Sequence, residues 1–170
     1  MNYFNLFQLP QILHIDKKKL INTFYSLQKK YHPDAQNHLE LSKKEKLNMS
    51  IKINQGFTIL KNKYTRAKYL LKLNKKKLLF KKIIVDNQKK WLIKQFQLHE
   101  TIQNIQNNQN AFIKINKLIK EIKQEISLYF CKFEKKLEKQ NIYSANKIFY
   151  QLSFIYKIYK KAKKIQAKNH

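Results

Sequence analysis

A single glycine (Gly56), two prolines (Pro10, Pro33), one cysteine (Cys131) and one arginine (Arg66) stand in a chain of 170 residues. Multi-stranded sheets need many tight turns, and tight turns draw on glycine and proline. Their scarcity disfavours β architectures and points to an all-α chain. One cysteine excludes a disulfide framework and any cysteine-based metal or cluster site, and it suits a reducing compartment. No apolar run approaches the length of a membrane span. The first fifteen residues hold no lysine or arginine, which argues against a signal or transit peptide. No glycine-rich loop is available to cradle a nucleotide phosphate.

What the chain has in excess is positive charge, 37 basic against 10 acidic residues and a net +27. Such a balance raises nucleic acid or an anionic membrane as a partner. All the basic residues except Arg66 are lysine, however, whereas nucleic-acid readers enlist arginine for its bidentate fork and its stacking. Lysine, asparagine, isoleucine, tyrosine and phenylalanine make up more than half of the chain. These are the residues of A/T-rich codons, so the charge reads mainly as mutational bias. It is also spread out: residues 1–75 carry 15 basic and 4 acidic groups, and residues 76–170 carry 22 and 6. There is no basic tail, and a nucleic-acid partner is the weaker reading.

Apolar periodicity divides the chain into helices. Tyr3 to Leu9 is an apolar segment of about two helical turns closed by Pro10. Asp16 is placed to cap a helix carrying Leu20, Phe24, Leu27 and Tyr31 on one face, with lysines opposite. Pro33 ends that helix, because the residue before a proline is driven out of the α region. After a polar loop from Asp34 to Leu41, a third helix is predicted from Ser42 to Asn62, with Leu47, Ile51, Asn54, Thr58 and Leu60 inward. Gly56 in its middle reads as a weakness of about 1 kcal/mol against alanine. Tyr64 to Leu73 fits a short fourth helix with Ala67, Leu70 and Leu71 as its packing residues. The run Asn74-Lys75-Lys76-Lys77 marks a boundary, giving an N-terminal domain at 1–73, a linker at 74–82 and a C-terminal domain at 83–170. Within the last, residues 83–108, 110–140 and 142–168 read as three helices of an antiparallel bundle. The middle one repeats Phe112, Ile115, Leu118, Ile119, Ile122, Ile126, Tyr129, Phe130, Phe133 and Leu137 at helical spacing.

The tripeptide His32-Pro33-Asp34 sits between two of these amphipathic helices. Pro33 fixes the backbone at the helix exit, His32 and Asp34 offer a donor and an acceptor, and Lys29 and Lys30 add charge suited to an acidic groove. Tyr31 before the tripeptide, Ile53-Asn54-Gln55 on the third helix and Arg66-Ala67 on the fourth complete a pattern. Residues 1–73 resemble a J-domain, the module that activates DnaK-class chaperone ATPases. The opening Asn2-Tyr3-Phe4-Asn5-Leu6-Phe7-Gln8-Leu9-Pro10 and the run Arg66-Ala67-Lys68-Tyr69-Leu70-Leu71-Lys72-Leu73 are narrower. With them, essentially the whole chain resembles the HscB co-chaperones of iron–sulfur cluster assembly. That resemblance implies an L-shaped, all-α protein in which a J-domain helical hairpin precedes a three-helix bundle. It implies two partners in a bacterial cytoplasm: the chaperone HscA at His32, Pro33, Asp34, Lys29 and Lys30, and the cluster scaffold IscU at the bundle. A general J-domain co-chaperone for unfolded clients is the alternative within the same class.

The bundle carries its own signal. Around residues 91–105, Trp91, Leu98, Ile102 and Ile105 form one narrow stripe, which must be core. Leu92, Ile93 and Phe96 lie on the other side with Glu100 close by. On the last helix Ala145, Ile148, Phe149, Leu152, Tyr156 and Tyr159 cluster in one direction and Phe154 points roughly opposite. An exposed apolar cluster beside a lone carboxylate suggests a partner surface, and the family pattern carries scaffold binding onto Leu92, Ile93, Phe96, Glu100 and Phe154. Gln97 and Asn104 stand where that pattern commonly has glutamate, which thins its acidic fringe. His14, His38, His99 and His170 have no metal-site spacing and no serine, histidine and aspartate fall into a triad. The expectation is an adaptor with no cofactor, no metal and no catalytic site of its own.

Overall fold

The computed structural model describes residues 2–32, 41–74, 88–106 and 111–168. Among them the chain is all-α, as expected, and it divides into two compact units, residues 1–73 and 74–170.

The first unit contains α1 (Tyr3–Leu6), α2 (Lys17–Tyr31), α3 (Lys43–Lys61) and α4 (Lys63–Leu73). Each start is set by a short polar side chain that accepts a hydrogen bond from an otherwise orphaned backbone N–H. Asn2 Oδ1 accepts from Phe4 N at 3.0 Å, and Asp16 Oδ1 accepts from Lys19 N at 3.0 Å. Ser42 and Glu45 form a reciprocal capping box: the Ser42 hydroxyl accepts from Glu45 N, and the Glu45 carboxylate accepts from Ser42 N at 2.9 Å. Asn62 accepts from Tyr64 N at 2.8 Å and so starts α4 directly after α3. The segment α1 is one turn rather than two. Gln8 takes a left-handed φ of 54° and Leu9 N returns to Phe4 O, which closes the helix before Pro10.

The core of this unit is built on Phe4, Phe7, Leu13, Leu20, Ile53, Leu60 and Ala67, all within 1% of full burial. The inward face of α3 is not the one its periodicity suggested. Leu47 and Ile51 are about half exposed and Asn54 and Thr58 are exposed; Leu60 is buried as expected, but its companions are Ile53, Gly56 and Lys46. The cause is Gly56. A Cβ there would come within 2.8 Å of Tyr3 Cδ1 and 2.9 Å of Phe7 Cε2, so the bare backbone of α3 is the seat on which α1 lies. What reads in isolation as a weak point is the position that sets the face.

The second unit contains α5 (Gln88–Gln106), α6 (Ala111–Glu138) and α7 (Ile142–Lys168). Phe133 meets Phe149 with ring centroids 5.9 Å apart, and Asn116 meets Gln166, so α6 and α7 run antiparallel along their length. Gln140, with φ 52°, and the N–H of Asn141 returning to Lys136 O at 2.9 Å make the turn between them. The predicted seam of α6 holds from Ile115 to Phe133, but Phe112 is exposed rather than buried. On α7 the buried line rotates. Ala145, Phe149 and Leu152 are joined by Ile155, Ile158, Ala162 and Ile165, while Ile148, Tyr156 and Tyr159 are only half-buried. None of the described helices is long and apolar enough to cross a membrane.

Candidate functional site

In the first unit the candidate site is the exit of α2. The helix ends at Tyr31, and His32 caps it with an extended backbone, φ −63° and ψ 136°. That conformation is the one a following proline imposes. His32 is exposed, as are Lys29 and Lys30 on the last turn, and Lys30 Nζ lies 5.5 Å from the centroid of the Tyr31 ring. Two cations at a helix C-terminus are favoured by the helix dipole, so the cationic end of α2 is also a stabilised one. Pro33 and Asp34 lie outside the described residues.

Several residues that carried the sequence resemblance tie the helices of this unit together. Phe24 of α2 stacks on Phe57 of α3 with centroids 4.0 Å apart. One turn further along, Gln28 Nε2 donates to Asn54 Oδ1 at 3.0 Å, and Asn54 Nδ2 donates to Ser50 O at 3.0 Å. Asn54 is therefore not a core residue but a polar tie between the two long helices. Gln55 accepts from the Tyr3 hydroxyl at 3.4 Å, and the Tyr69 hydroxyl accepts from Tyr3 N at 3.1 Å. Arg66, 3% exposed, donates from Nε to Leu13 O at 2.8 Å and from Nη1 to Leu60 O. Its charge sits on the carbonyl end of α3, where the helix dipole favours a cation. The sequence marked Arg66 by its rarity and by its place in the family resemblance. Its task as a clamp across the loop before α2 and the last turn of α3 is set by tertiary packing.

In the second unit the candidate site is on α5. Leu92 and Ile93 are about half exposed and Phe96 is 66% exposed, whereas Ile102 on the same helix is fully buried. The side chain of Trp91 lies outside the described residues. Two polar contacts orient α5. Lys94 forms an ion pair with Glu125 of α6, and Lys161 of α7 donates to His99 Nδ1 at 3.1 Å. An ammonium only donates, so His99 accepts at Nδ1. Burial, and then the charge of Lys161, hold the His99 pKa below the ordinary histidine range, which keeps the ring a neutral acceptor.

These contacts fix azimuths. With His99 as origin, a rotation of 100° per residue puts Leu92 at about 20°, Phe96 at about 60°, Glu100 at about 100° and Ile93 at about 120°. Lys94 falls on the opposite side, toward α6. Leu92, Phe96, Glu100 and Ile93 thus occupy one continuous outward arc that begins at the edge facing α7. Helices α5 and α7 are each antiparallel to α6 and so run parallel to one another. Seven residues before His99 and Lys161 come Leu92 and Phe154, which places this pair level and near the shared edge. Phe154 is half-buried rather than turned away from the core. Its ring packs edge-on against Tyr150 at 4.8 Å, and Lys157 Nζ lies 5.8 Å from its centroid. The sequence-derived residues Leu92, Ile93, Phe96, Glu100 and Phe154 therefore fall on one side of the bundle. Among the described residues no group of histidine, cysteine, aspartate and glutamate is placed to hold a metal ion.

Comparison with known proteins identifies the architecture. Residues 87–163 match the HSCB C-terminal oligomerisation domain. Co-chaperone protein HscB of Buchnera aphidicola subsp. Acyrthosiphon pisum (strain APS) is 39% identical over 159 residues, covering 93% of this chain and 91% of that protein. The HscB homologue of Psychromonas ingrahamii is 32% identical over 162 residues, covering 93% and 92%. Among solved structures, chaperone HscB from Vibrio cholerae superposes with a TM-score of 0.80 at 25% identity over 99% of both chains. Similarity that spans both units, at this identity and with this fold, means that the chain belongs to the co-chaperone HscB family.

Proposed function

We propose that the chain is a two-site adaptor in iron–sulfur protein maturation, working in a bacterial cytoplasm. Its first unit presents His32, Pro33 and Asp34, with Lys29 and Lys30 beside them, to a DnaK-class chaperone of the HscA type and stimulates that partner's ATPase. Its second unit holds the cluster scaffold, an IscU-type protein, through Leu92, Ile93, Phe96, Glu100 and Phe154. The chain contributes no catalytic group; ATP is bound and hydrolysed by the chaperone.

The observation that supports this reading most is the arc on α5. A helix that buries Ile102 completely has no packing reason to leave Leu92, Ile93 and Phe96 about half exposed or more. Three large apolar side chains on one arc, with Phe154 level beside them, suit a protein partner. Rigid placement matters as well, because a partner surface already ordered loses less freedom on binding. The stabilised exit of α2 suits the other half of the task, since a chaperone has to find the tripeptide in a defined place.

The test is a reconstituted ATPase assay with the HscA-type chaperone, with and without the scaffold protein. The wild-type chain should stimulate hydrolysis, and His32→Gln should lose most of that stimulation, about tenfold or more. Phe96→Ala combined with Phe154→Ala should retain stimulation by the first unit and lose the additional effect of the scaffold. Undiminished stimulation by His32→Gln would overturn the J-domain reading. Scaffold binding unchanged by the double variant would overturn the second site and leave a general co-chaperone.

A further inference from the structure

On the side that faces α7, the apolar arc of the second unit is bordered by two lysines. Lys157 lies on α7 between Phe154 and Lys161, one turn from each, along the edge that faces α5. Its ammonium is held over the Phe154 ring. Lys161 is held by His99, at the origin of the arc. Neither cation has a carboxylate within ion-pair reach among the described residues, where the ion pair at this helix is Lys94 with Glu125, directed away toward α6. Glu100 is the acid on the arc, about a quarter turn from His99. Two ordered cations with unspent charge thus stand on the side of the patch that joins α5 to α7.

We propose that Lys157 and Lys161 form a basic rim that selects a scaffold segment whose apolar side chains are flanked by carboxylates. This rests on the reading of the patch as the scaffold site, and it names the chemistry of the segment that fits there. An apolar side chain seated on Phe154 brings its neighbour in the chain beside Lys157. As water leaves the contact, an ammonium–carboxylate attraction strengthens and gains a charge-assisted hydrogen bond. The aromatic ring and the imidazole already restrict the two lysines, so less side-chain freedom is lost when a partner engages them. Abundance of lysine in the chain explains why lysine is available at these positions. What singles out this pair is place: Lys161 is tied across to His99 of α5, and Lys157 stands over Phe154 one turn away, both at the border of the exposed arc.

The experiment measures binding of the full-length chain to the iron–sulfur scaffold protein of the same organism, at about 0.05 M and 0.5 M NaCl. Wild-type affinity should fall with salt, because the rim acts through charge. Lys157→Gln should weaken binding about threefold and Lys157→Glu about tenfold at low salt, mainly through slower association, with the differences closing at high salt. Thermal unfolding of both variants should match the wild type, since Lys157 is exposed. Phe96→Ala should weaken binding at both salt concentrations. If Phe96→Ala weakens binding but Lys157→Glu binds as tightly as the wild type, or more tightly, the basic rim is wrong and the patch stands. If Phe96→Ala changes nothing, the patch and its rim fall together.

Discussion

The two units reach stability by different routes. The first is assembled from four helices of unequal length, and its order depends on individual residues with single tasks: Gly56 as a seat, Arg66 as a clamp, Asn54 and Gln28 as a tie. The second is assembled from helices of up to 28 residues joined by a repeated apolar seam, in which each side chain does the same kind of work as its neighbours. This difference governs where each carries its exposed chemistry. A unit pinned by single contacts carries its candidate site at the exit of one helix. A unit built on a long seam can leave part of α5 outside the seam and still fold. The distinction predicts that the second unit loses most from core truncation and the first from loss of single-task residues.

The largest effect should come from the seam. Phe133 is fully buried and meets Phe149. Phe133→Ala removes its burial and leaves a cavity, at a cost of about 3–5 kcal/mol. Trp91, the single tryptophan, belongs to the second unit, so chemical denaturation followed by its fluorescence measures the loss there. Leu92→Ala or Phe96→Ala on the exposed arc should move the same transition by about 0.5 kcal/mol or less. Equal losses at Phe133 and Phe96 would mean that the arc belongs to the core and is not a surface.

Next should come the clamp of the first unit. Arg66→Met keeps much of the buried stem but strips the Leu13 and Leu60 carbonyls of their charged donor. Loss of such a donor costs about 1–3 kcal/mol. Circular dichroism of the full-length chain should show the lower-temperature shoulder, while Trp91 fluorescence stays put. Lysine in place of Arg66 should rescue only in part, because a single ammonium cannot reproduce the fork that reaches both carbonyls.

Gly56→Ala separates two accounts of one residue. Helix propensity alone makes alanine better by about 1 kcal/mol. A Cβ pressed to 2.8 Å and 2.9 Å from the rings of Tyr3 and Phe7 makes it worse, and overpacking of that kind costs about 1–3 kcal/mol. The expected result is a net loss of about 1 kcal/mol in the melting of the first unit. A gain in stability would show that α1 yields and that the seat is not what positions it.

These three positions also mark how far the sequence could be read. The apolar period of α6 was legible from Ile115 to Phe133 because one face is apolar and the other is charged. The patch on α5 was legible for the converse reason: Leu92, Ile93 and Phe96 break that alternation. On α3 apolar residues lie on both faces, Leu47 and Ile51 on one, Ile53 and Leu60 on the other. Periodicity cannot choose between them, and the choice was made by α1, a contact more than fifty residues away in sequence. The level pairing of Leu92 with Phe154 and the ordering of Lys157 and Lys161 are likewise products of packing between helices. No spacing within one helix contains them.

The smallest expected effect concerns the start of α3. Hydrogen bonds to the Glu45 carboxylate, first from the Ser42 hydroxyl and then from the Ser42 backbone N–H, hold its pKa below the ordinary carboxylate range. A carboxyl whose pKa is depressed on folding stabilises the folded state above its unfolded value, and that contribution is lost as pH falls through the folded value. The cap of α3 should therefore weaken only on acidification below the ordinary glutamate range, and not near neutrality. Ser42→Ala removes the hydroxyl, so an NMR titration of the Glu45 carboxyl in that variant should move back toward the ordinary value. The carboxylate is fully exposed, so the accompanying change in stability should be slight and should shrink with added salt. A Glu45 titration unmoved by Ser42→Ala would show that the capping box does not set this carboxyl. The start of α3 would then hang on tertiary contacts, as its inward face does.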